Sequence, residues 1–322
     1  MNTTTRFRLL LQVRIGKRWR TDQIALTTTF AGQDVTIRST KKDQPISETK
    51  WIIFETRGFP TEKEARDFGE RLQTTVEFAA LCSHLGAYVG QDETLDSLDE
   101  DYFLSKGLPP PPLWFPPETD GVLVLQDDDE PLFPSAQVAL TVVADPAQFL
   151  GALGELEGQP LITEHAVTQS VWILNLALIN TGRLAKIILA FSAIEALAQD
   201  EAWSRDQRNL IERLAREVEN GTGEDGEQSE VADAIRRLSR MGLRQGVKRV
   251  LCRNDLSHLQ TEWAKLHDRR SNLFHGRQQL TKPEIKKLAA DTVKLCCRII
   301  LGIIRHNGIK LPSIARSHFG NI

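Results

Sequence analysis

The spacing of the apolar residues changes near residue 145, and this change divides the chain into two parts. Before that point, short segments rich in Thr, Val, Ile and Phe alternate with turn-forming residues, a pattern typical of β-strands. After it, apolar residues recur every three or four positions, which is typical of α-helices. The sequence therefore predicts an α+β fold, with a mixed strand and helix domain of unrecognised type at residues 1–145 and an all-helical bundle at residues 146–322.

Strands dominate the predicted N-terminal domain. They are expected at residues 6–15, 23–30, 34–38, 50–56, 121–125 and 137–143. One helix is expected to begin at Thr61, because Glu64 follows at the spacing of a capping box. Its buried face is predicted to consist of Ala65, Phe68, Leu72, Val76 and Ala79. The proline-rich run 108–117 is expected to be a polyproline-type connector, with a motif for a proline-reading partner as the alternative.

Helices account for the whole predicted C-terminal part. Their expected ranges are 163–180, 184–199, 204–218, 230–241, 245–252, 257–275 and 281–308. Three of them begin with a Ser or Thr that is followed three residues later by Gln or Glu, namely at Ser204, Ser257 and Thr281. Gly182 is expected to end the first helix, and residues 220–228 are expected to form a flexible acidic loop.

The formal net charge of −3 conceals a strong asymmetry. Residues 236–322 contain 19 Lys and Arg against 5 Asp and Glu, whereas the rest of the chain contains 21 against 38. Such a distribution predicts that the C-terminal part faces an anionic partner or the acidic part of its own chain. A nucleic-acid surface and a solvated basic face are both compatible with the charge alone.

Several function classes lack their sequence patterns. The longest apolar stretch, 171–179, is interrupted by Asn175 and is shorter than the roughly 20 residues of a membrane span. The four cysteines show no C-x-x-C spacing, which favours a reducing cytoplasm over a disulfide framework or a zinc site. The Walker, dinucleotide-binding, metalloprotease and nucleophile-elbow motifs are missing from the sequence. We therefore expect no cofactor, no metal and no membrane partner.

Two charged residues, Arg270 and Glu195, interrupt apolar helix faces. The two apolar stripes are Leu259, Trp263, Leu266 and Leu273 or Phe274 around Arg270, and Leu184, Ile188, Phe191 and Ala198 around Glu195. An unpaired charge on an inward face is costly, so the two side chains are expected to meet inside the bundle. Two interpretations remain open: a structural ion pair that fixes helix register, and a polar site within the bundle.

His275 follows Arg270 by five residues and immediately precedes Gly276, a predicted helix end. Histidine is the side chain that most readily exchanges protons near neutral pH, although a histidine in this position is often only a helix cap. Ser271 and Asn272 lie on the same side of the helix as His275. Arg270 lies about 140° away around an ideal helix. The two side chains are therefore expected to meet only through the length of the arginine, a frayed helix end or a second subunit.

These residues also resemble a known family. The run 266–276, LHDRRSNLFHG, resembles the R-x4-6-H motif of HEPN domains, and the run 188–197, ILAFSAIEAL, is similar to the glutamate-bearing helix that precedes this motif in the large prokaryotic branch. The resemblance covers roughly residues 160 to 310. In one departure, Ser271 occupies the position where many members have Asn, and Asn272 follows one place later.

The resemblance implies a helical bundle that forms a homodimer and brings two motifs together across a cleft. Many HEPN proteins are metal-independent endoribonucleases with a toxin or antiviral defence role, and an antitoxin or trigger protein is a partner that the resemblance leaves open. It implies that His275 is the acid/base, that Arg270 stabilises the phosphorane, and that Glu195, Ser271 and Asn272 support them. RNA would be held by the basic surface. The N-terminal domain lies outside the resemblance, and in this interpretation it would sense a trigger, restrain the nuclease or direct it to its substrate. The alternative is a non-catalytic HEPN module for dimerisation and for RNA, nucleotide or protein binding, and a purely structural bundle comes last.

Overall fold

The computed structural model describes residues 6–89, 121–126, 143–161, 164–221 and 225–320. Eight strands lie in this part of the chain: β1 (Phe7–Ile15), β2 (Arg18–Trp19), β3 (Ala25–Phe30), β4 (Gln33–Ser39), β5 (Trp51–Phe59), β6 (Ala87–Tyr88), β7 (Gly121–Gln126) and β8 (Val143–Ala144). Five of the six predicted strands coincide with β1, β3, β4, β5 and β7. The sixth lies outside the described residues except for its last residue. Thr163, the first residue of the predicted helix 163–180, and the proline-rich run 108–117 also lie outside the described residues.

The main sheet is antiparallel, with the order β3-β4-β5-β1-β6 and with β7 also pairing to β1. β1 is an interior strand and is buried on both faces: Leu9, Leu11 and Val13 are fully buried on one face, and Leu10 is 1% exposed on the other. The short strands β2 and β8 form a separate parallel pair.

Ten helices follow the strands or lie between them in the described part of the chain. They are α1 (Glu62–Cys82), α2 (Pro146–Leu156), α3 (His165–Ile179), α4 (Arg183–Ala196), α5 (Arg205–Glu219), α6 (Asp225–Arg237), α7 (Leu243–Arg253), α8 (Gln260–Phe274), α9 (Lys282–His306) and α10 (Ser313–Phe319). The sheet region followed by a run of helices confirms the predicted α+β class. None of the described helices is long and apolar enough to cross a membrane.

Local capping signals locate three helix starts correctly. The Thr61 hydroxyl accepts a hydrogen bond from the Glu64 N–H at the start of α1. Complete capping boxes open α5 at Ser204 and α9 at Thr281. The predicted apolar face of α1 is buried against the sheet, as its spacing requires.

The structure corrects three local predictions and adds two helices that the sequence did not indicate. Gly182 does not end α3 but is the N-cap of α4. Ser257 caps nothing with its side chain, because residues 257–259 form a short 3-10 turn before α8. The predicted acidic loop 220–228 already contains the first residues of α6. The helix α2 was not predicted, although Asp145 caps it and Pro146 opens it, and α10 was not predicted either.

The helices join the sheet through one continuous apolar core. Asn175 is a polar link within it, because its side-chain amide donates to the Glu77 carbonyl of α1 at 3.0 Å and its oxygen accepts from the Ala87 N–H of β6 at 3.3 Å. A fully buried asparagine is stable only when its polar atoms are paired, and here both are. The residue that interrupts the apolar run of α3 therefore fixes α3 against both α1 and the sheet.

Candidate functional site

Arg270 and Glu195 meet at the edge of the bundle. The Arg270 Nη1 atom lies 3.9 Å from the Glu195 Oε1 atom, and the two side chains remain 29% and 19% exposed. The predicted contact is confirmed, but its location is corrected: it is an ion pair at the rim, not in the interior. The distance exceeds that of a hydrogen bond, so the guanidinium is not closed off by the carboxylate.

Aromatic rings hold the Arg270 guanidinium in place. Its central carbon lies 5.6 Å from the centre of the Phe191 ring and 5.8 Å from that of Phe274, distances at which a cation is attracted by a ring face. The Arg270 Nε atom is buried and has no hydrogen-bond partner among the described residues. An anion must therefore approach through the partly exposed end of the guanidinium, where Nη1 is not hydrogen-bonded to Glu195.

His267 is the member of this cluster that sequence reasoning missed. Its ring centre lies 6.0 Å from those of Phe191 and Trp263, and its Nδ1 atom has no hydrogen-bond partner in the described chain. Burial, followed by the positive charges of Arg270 and Arg244, lowers the pKa of His267. The signal was present in the sequence, because the steps of four and three from Trp263 to His267 and Arg270 place all three on one helix face.

His275 lies at the end of α8, about 140° around the helix from Arg270. It is exposed and is the C-cap residue, and its N–H donates to the Ser271 carbonyl at 2.9 Å. Gly276 follows in the left-handed region, with φ of 67°, as the predicted helix end requires. The described contacts of Arg270 do not include His275, so one chain does not bring the two motif residues together.

Ser271 and Asn272 act here through their carbonyl groups. The Ser271 oxygen accepts from His275, and the Asn272 oxygen accepts from the N–H groups of Arg277 at 2.9 Å and Gln278 at 3.2 Å. These bonds close the C-terminus of α8 and fix the position from which His275 projects.

Large apolar side chains are exposed on α4 and at the end of α8. Leu184 and Ile188, which the stripe of α4 predicted to face inward, are 45% and 42% exposed, and Phe274 is 41% exposed. Phe191, Leu259 and Trp263 are buried as predicted. The prediction for α4 is wrong at its first two turns, because helical spacing shows that residues share a face but not what covers that face.

Basic residues surround this end of the bundle. Five lysines on α8 and α9 are exposed and form no ion pair among the described residues: Lys265, Lys282, Lys286, Lys287 and Lys294. Other basic residues do bind the acidic part of the chain, as in the pairs of Arg253 with Glu201 and of Arg236 with Glu212. Both interpretations of the charge asymmetry therefore have residues that fit them.

Replacing Glu195 by Gln should lower the free energy of unfolding by less than about 1 kcal/mol, because partly exposed ion pairs contribute little. If the pair were buried, the same substitution would lower the free energy of unfolding by roughly 3–5 kcal/mol. Urea unfolding of the variant beside Glu262→Gln, which removes the partner of Arg298 in another partly exposed pair, measures the difference. A loss of several kcal/mol in Glu195→Gln alone would contradict a rim location.

Among the residues that the structure describes, no group of three or more His, Cys, Asp or Glu side chains is arranged to hold a metal ion. Comparison of the chain with protein-family models, with curated proteins and with solved structures gives no match. The function must therefore be inferred from the residues and their geometry.

Proposed function

We propose that this protein is a metal-independent endoribonuclease of the HEPN type. The observation that carries the proposal is the Arg270 guanidinium, which lies against two aromatic rings and remains partly exposed at the rim of the bundle. The same helix ends at an exposed histidine, His275, and exposed lysines without ion pairs lie on the same helix and the next. A fixed cation, a proton-exchanging group and a basic surface are the parts that RNA backbone cleavage needs.

In the proposed reaction, the ribose 2′-oxygen attacks the adjacent phosphorus, and the bond to the 5′-oxygen of the next nucleotide breaks. His275 moves a proton to or from one of these oxygens. Arg270 stabilises the negative charge that develops on the phosphorane. The products are a 2′,3′-cyclic phosphate and a 5′-hydroxyl, and the lysines hold the backbone without reading the sequence.

The test is cleavage of labelled single-stranded RNA in the presence of EDTA. We expect cleavage to persist, the products to carry 2′,3′-cyclic phosphates, and a DNA strand of the same sequence to remain intact because it lacks the 2′-hydroxyl. RNA binding should weaken steeply as salt is raised. Cleavage that requires a metal ion, or equal cleavage of DNA, would refute the mechanism.

A homodimer completes the proposed site. Because Arg270 and His275 point about 140° apart on one helix, a two-fold partner is the simplest way to supply the missing group. The exposed side chains of Leu184 and Ile188 on α4, and of Phe274 beside Arg270, provide apolar surface for this contact.

Ile188→Glu should therefore convert a dimer into a monomer and abolish cleavage, because a charge in an apolar interface is not solvated. Light scattering at micromolar concentration measures the change. Leu210→Glu is the matched control, since Leu210 is equally exposed but lies on α5. A monomeric wild-type protein that cleaves RNA, or a dimer unaffected by Ile188→Glu, would contradict this arrangement.

The biological role that fits such a nuclease is a toxin or antiviral defence enzyme of the cytoplasm, with the sheet region as sensor and with an antitoxin or trigger protein as partner. The second candidate function is a non-catalytic HEPN module that dimerises and binds RNA, a nucleotide or a protein. It is favoured by the separation of Arg270 and His275 within one chain. RNA binding by a dimer that cleaves nothing would identify this second function.

A further inference from the structure

Four basic side chains converge where the sheet meets the helices, away from the Arg270 cluster. Lys17 follows β1, His84 follows α1, Lys186 lies on α4 and His318 lies on α10. The Lys17 ammonium donates to the His84 carbonyl at 2.8 Å, and the rings of His84 and His318 have their centres 6.1 Å apart. The elements that carry the four groups are distant in sequence, so the fold itself assembles the cluster.

The backbone is packed tightly at this place. The Lys186 ammonium donates to the Leu178 carbonyl at 3.3 Å, at the end of α3. A Cβ atom on Gly86 would lie 2.6 Å from the Leu178 side chain, so the turn after α1 approaches α3 more closely than another residue would permit. His84 itself has φ of 52°, a left-handed conformation that is uncommon for residues other than glycine. The imidazole is thus held in a strained turn beside two ammonium groups.

The cluster lacks a countercharge among the described residues. Neither Lys17 nor Lys186 has a carboxylate within 4.0 Å there, although both side chains are partly buried. Each ammonium is satisfied only in part, by a backbone carbonyl, and retains further donors. The charged groups that act on His84 are Lys17, His318 and Lys186, all of them basic. Two partly buried ammonium groups without a countercharge are costly unless an anion binds between them.

We propose that Lys17, His84, Lys186 and His318 form a binding site for a phosphate group, carried by inorganic phosphate or a small phosphomonoester. Two fixed ammonium groups and two imidazoles can surround a compact dianion with N–H donors from several directions. The bound anion would link the sheet, the end of α1, α4 and α10. The site is distinct from the proposed nuclease centre and does not depend on it.

The protonation of His84 provides an independent sign of occupancy. Burial, together with Lys17, His318 and Lys186, lowers the pKa of His84 to about 4. Burial and then Lys17 also lower the pKa of His318. A bound anion opposes these effects and raises both pKa values, so binding must strengthen as the pH falls. Sulfate is the probe for this dependence because it remains a dianion across the range, whereas phosphate itself titrates.

The experiment is calorimetric titration of the full-length protein with inorganic phosphate, a nucleoside monophosphate and, in a separate arm, short single-stranded RNA. We expect phosphate or the monophosphate to bind, and Lys17→Met and Lys186→Met each to weaken binding by about tenfold or more, as loss of a charge-assisted contact predicts. Lys63→Met is the matched control, because Lys63 is an exposed lysine at the start of α1, outside the cluster and outside the lysines of α8 and α9. Circular dichroism establishes that each variant is folded.

Histidine NMR signals of the wild-type protein give a second measurement that needs no variant. The His84 and His318 resonances should shift on addition of phosphate, and with sulfate their titration should move to higher pH. Binding by RNA alone would overturn the proposal, since it would make the cluster part of an RNA surface. The proposal is also wrong if Lys17→Met binds phosphate as tightly as Lys63→Met, or if millimolar phosphate moves neither histidine.

Discussion

His275→Ala should slow RNA cleavage by roughly 10²–10⁴-fold while leaving RNA affinity unchanged. A positioned acid/base group contributes about that factor to a proton transfer. Affinity should survive because His275 is one exposed side chain, whereas lysines without ion pairs on α8 and α9 supply most of the attraction for the backbone. The measurement is single-turnover cleavage with the protein in excess of both the RNA and the dissociation constant, beside filter binding of the same RNA.

Two further variants define the mechanism. His258→Ala is the matched control, since His258 is an exposed histidine of the turn before α8 and should leave the rate unchanged. Arg270→Ala should reduce the rate as strongly as His275→Ala, and the double variant should be little worse, because groups that act together are not additive. Full activity in His275→Ala would eliminate the proposed acid/base.

The sequence predicts best those features of the fold that depend on residues close together in the chain. The starts of α5 and α9 are set by hydrogen bonds between residues three apart, so Ser204 and Thr281 were identified from sequence. Ser257 carries the same pattern but lies in a 3-10 turn, where packing of the buried Leu259 and Trp263 determines the backbone. Local capping energies of about 1 kcal/mol are easily overridden by such packing.

In the candidate site, too, the sequence predicts what depends on a single helix and not what depends on packing between helices. Arg270 and Glu195 were found because a charge on an apolar stripe is anomalous within its own helix. The 3.9 Å separation at the rim and the exposure of Ile188 depend on how α4 lies against α8, which periodicity does not specify. His267 was missed because a histidine on such a face is usually a core residue, and its contact with Phe191 on α4 depends on how the helices pack.

A buried carboxyl group on α1 leads to the second large effect. Glu77 is 5% exposed, and burial raises its pKa from 4.5 to about 8. The folded protein therefore retains a proton that the unfolded chain loses above pH 4.5. Since the folded state binds more protons between pH 4.5 and 8, the stabilisation is complete below pH 4.5 and is lost as the pH rises to about 8.

Glu77→Gln should remove this loss, because the amide keeps the size of the protonated carboxyl group and does not titrate. One proton is worth about 1.4 kcal/mol per pH unit across the window, so the variant should exceed the wild type in unfolding free energy by up to about 5 kcal/mol at pH 8 and by little near pH 4.5. Urea unfolding of both proteins at several pH values measures the difference. The titration of other groups affects both proteins equally and cancels in this difference. Glu70→Gln, at an exposed position of the same helix, is the control and should give no pH-dependent difference. If the difference between Glu77→Gln and the wild type stays constant from pH 4.5 to 8, Glu77 ionises normally. The interpretation that burial next to Asn175 keeps its carboxyl group protonated would then be wrong.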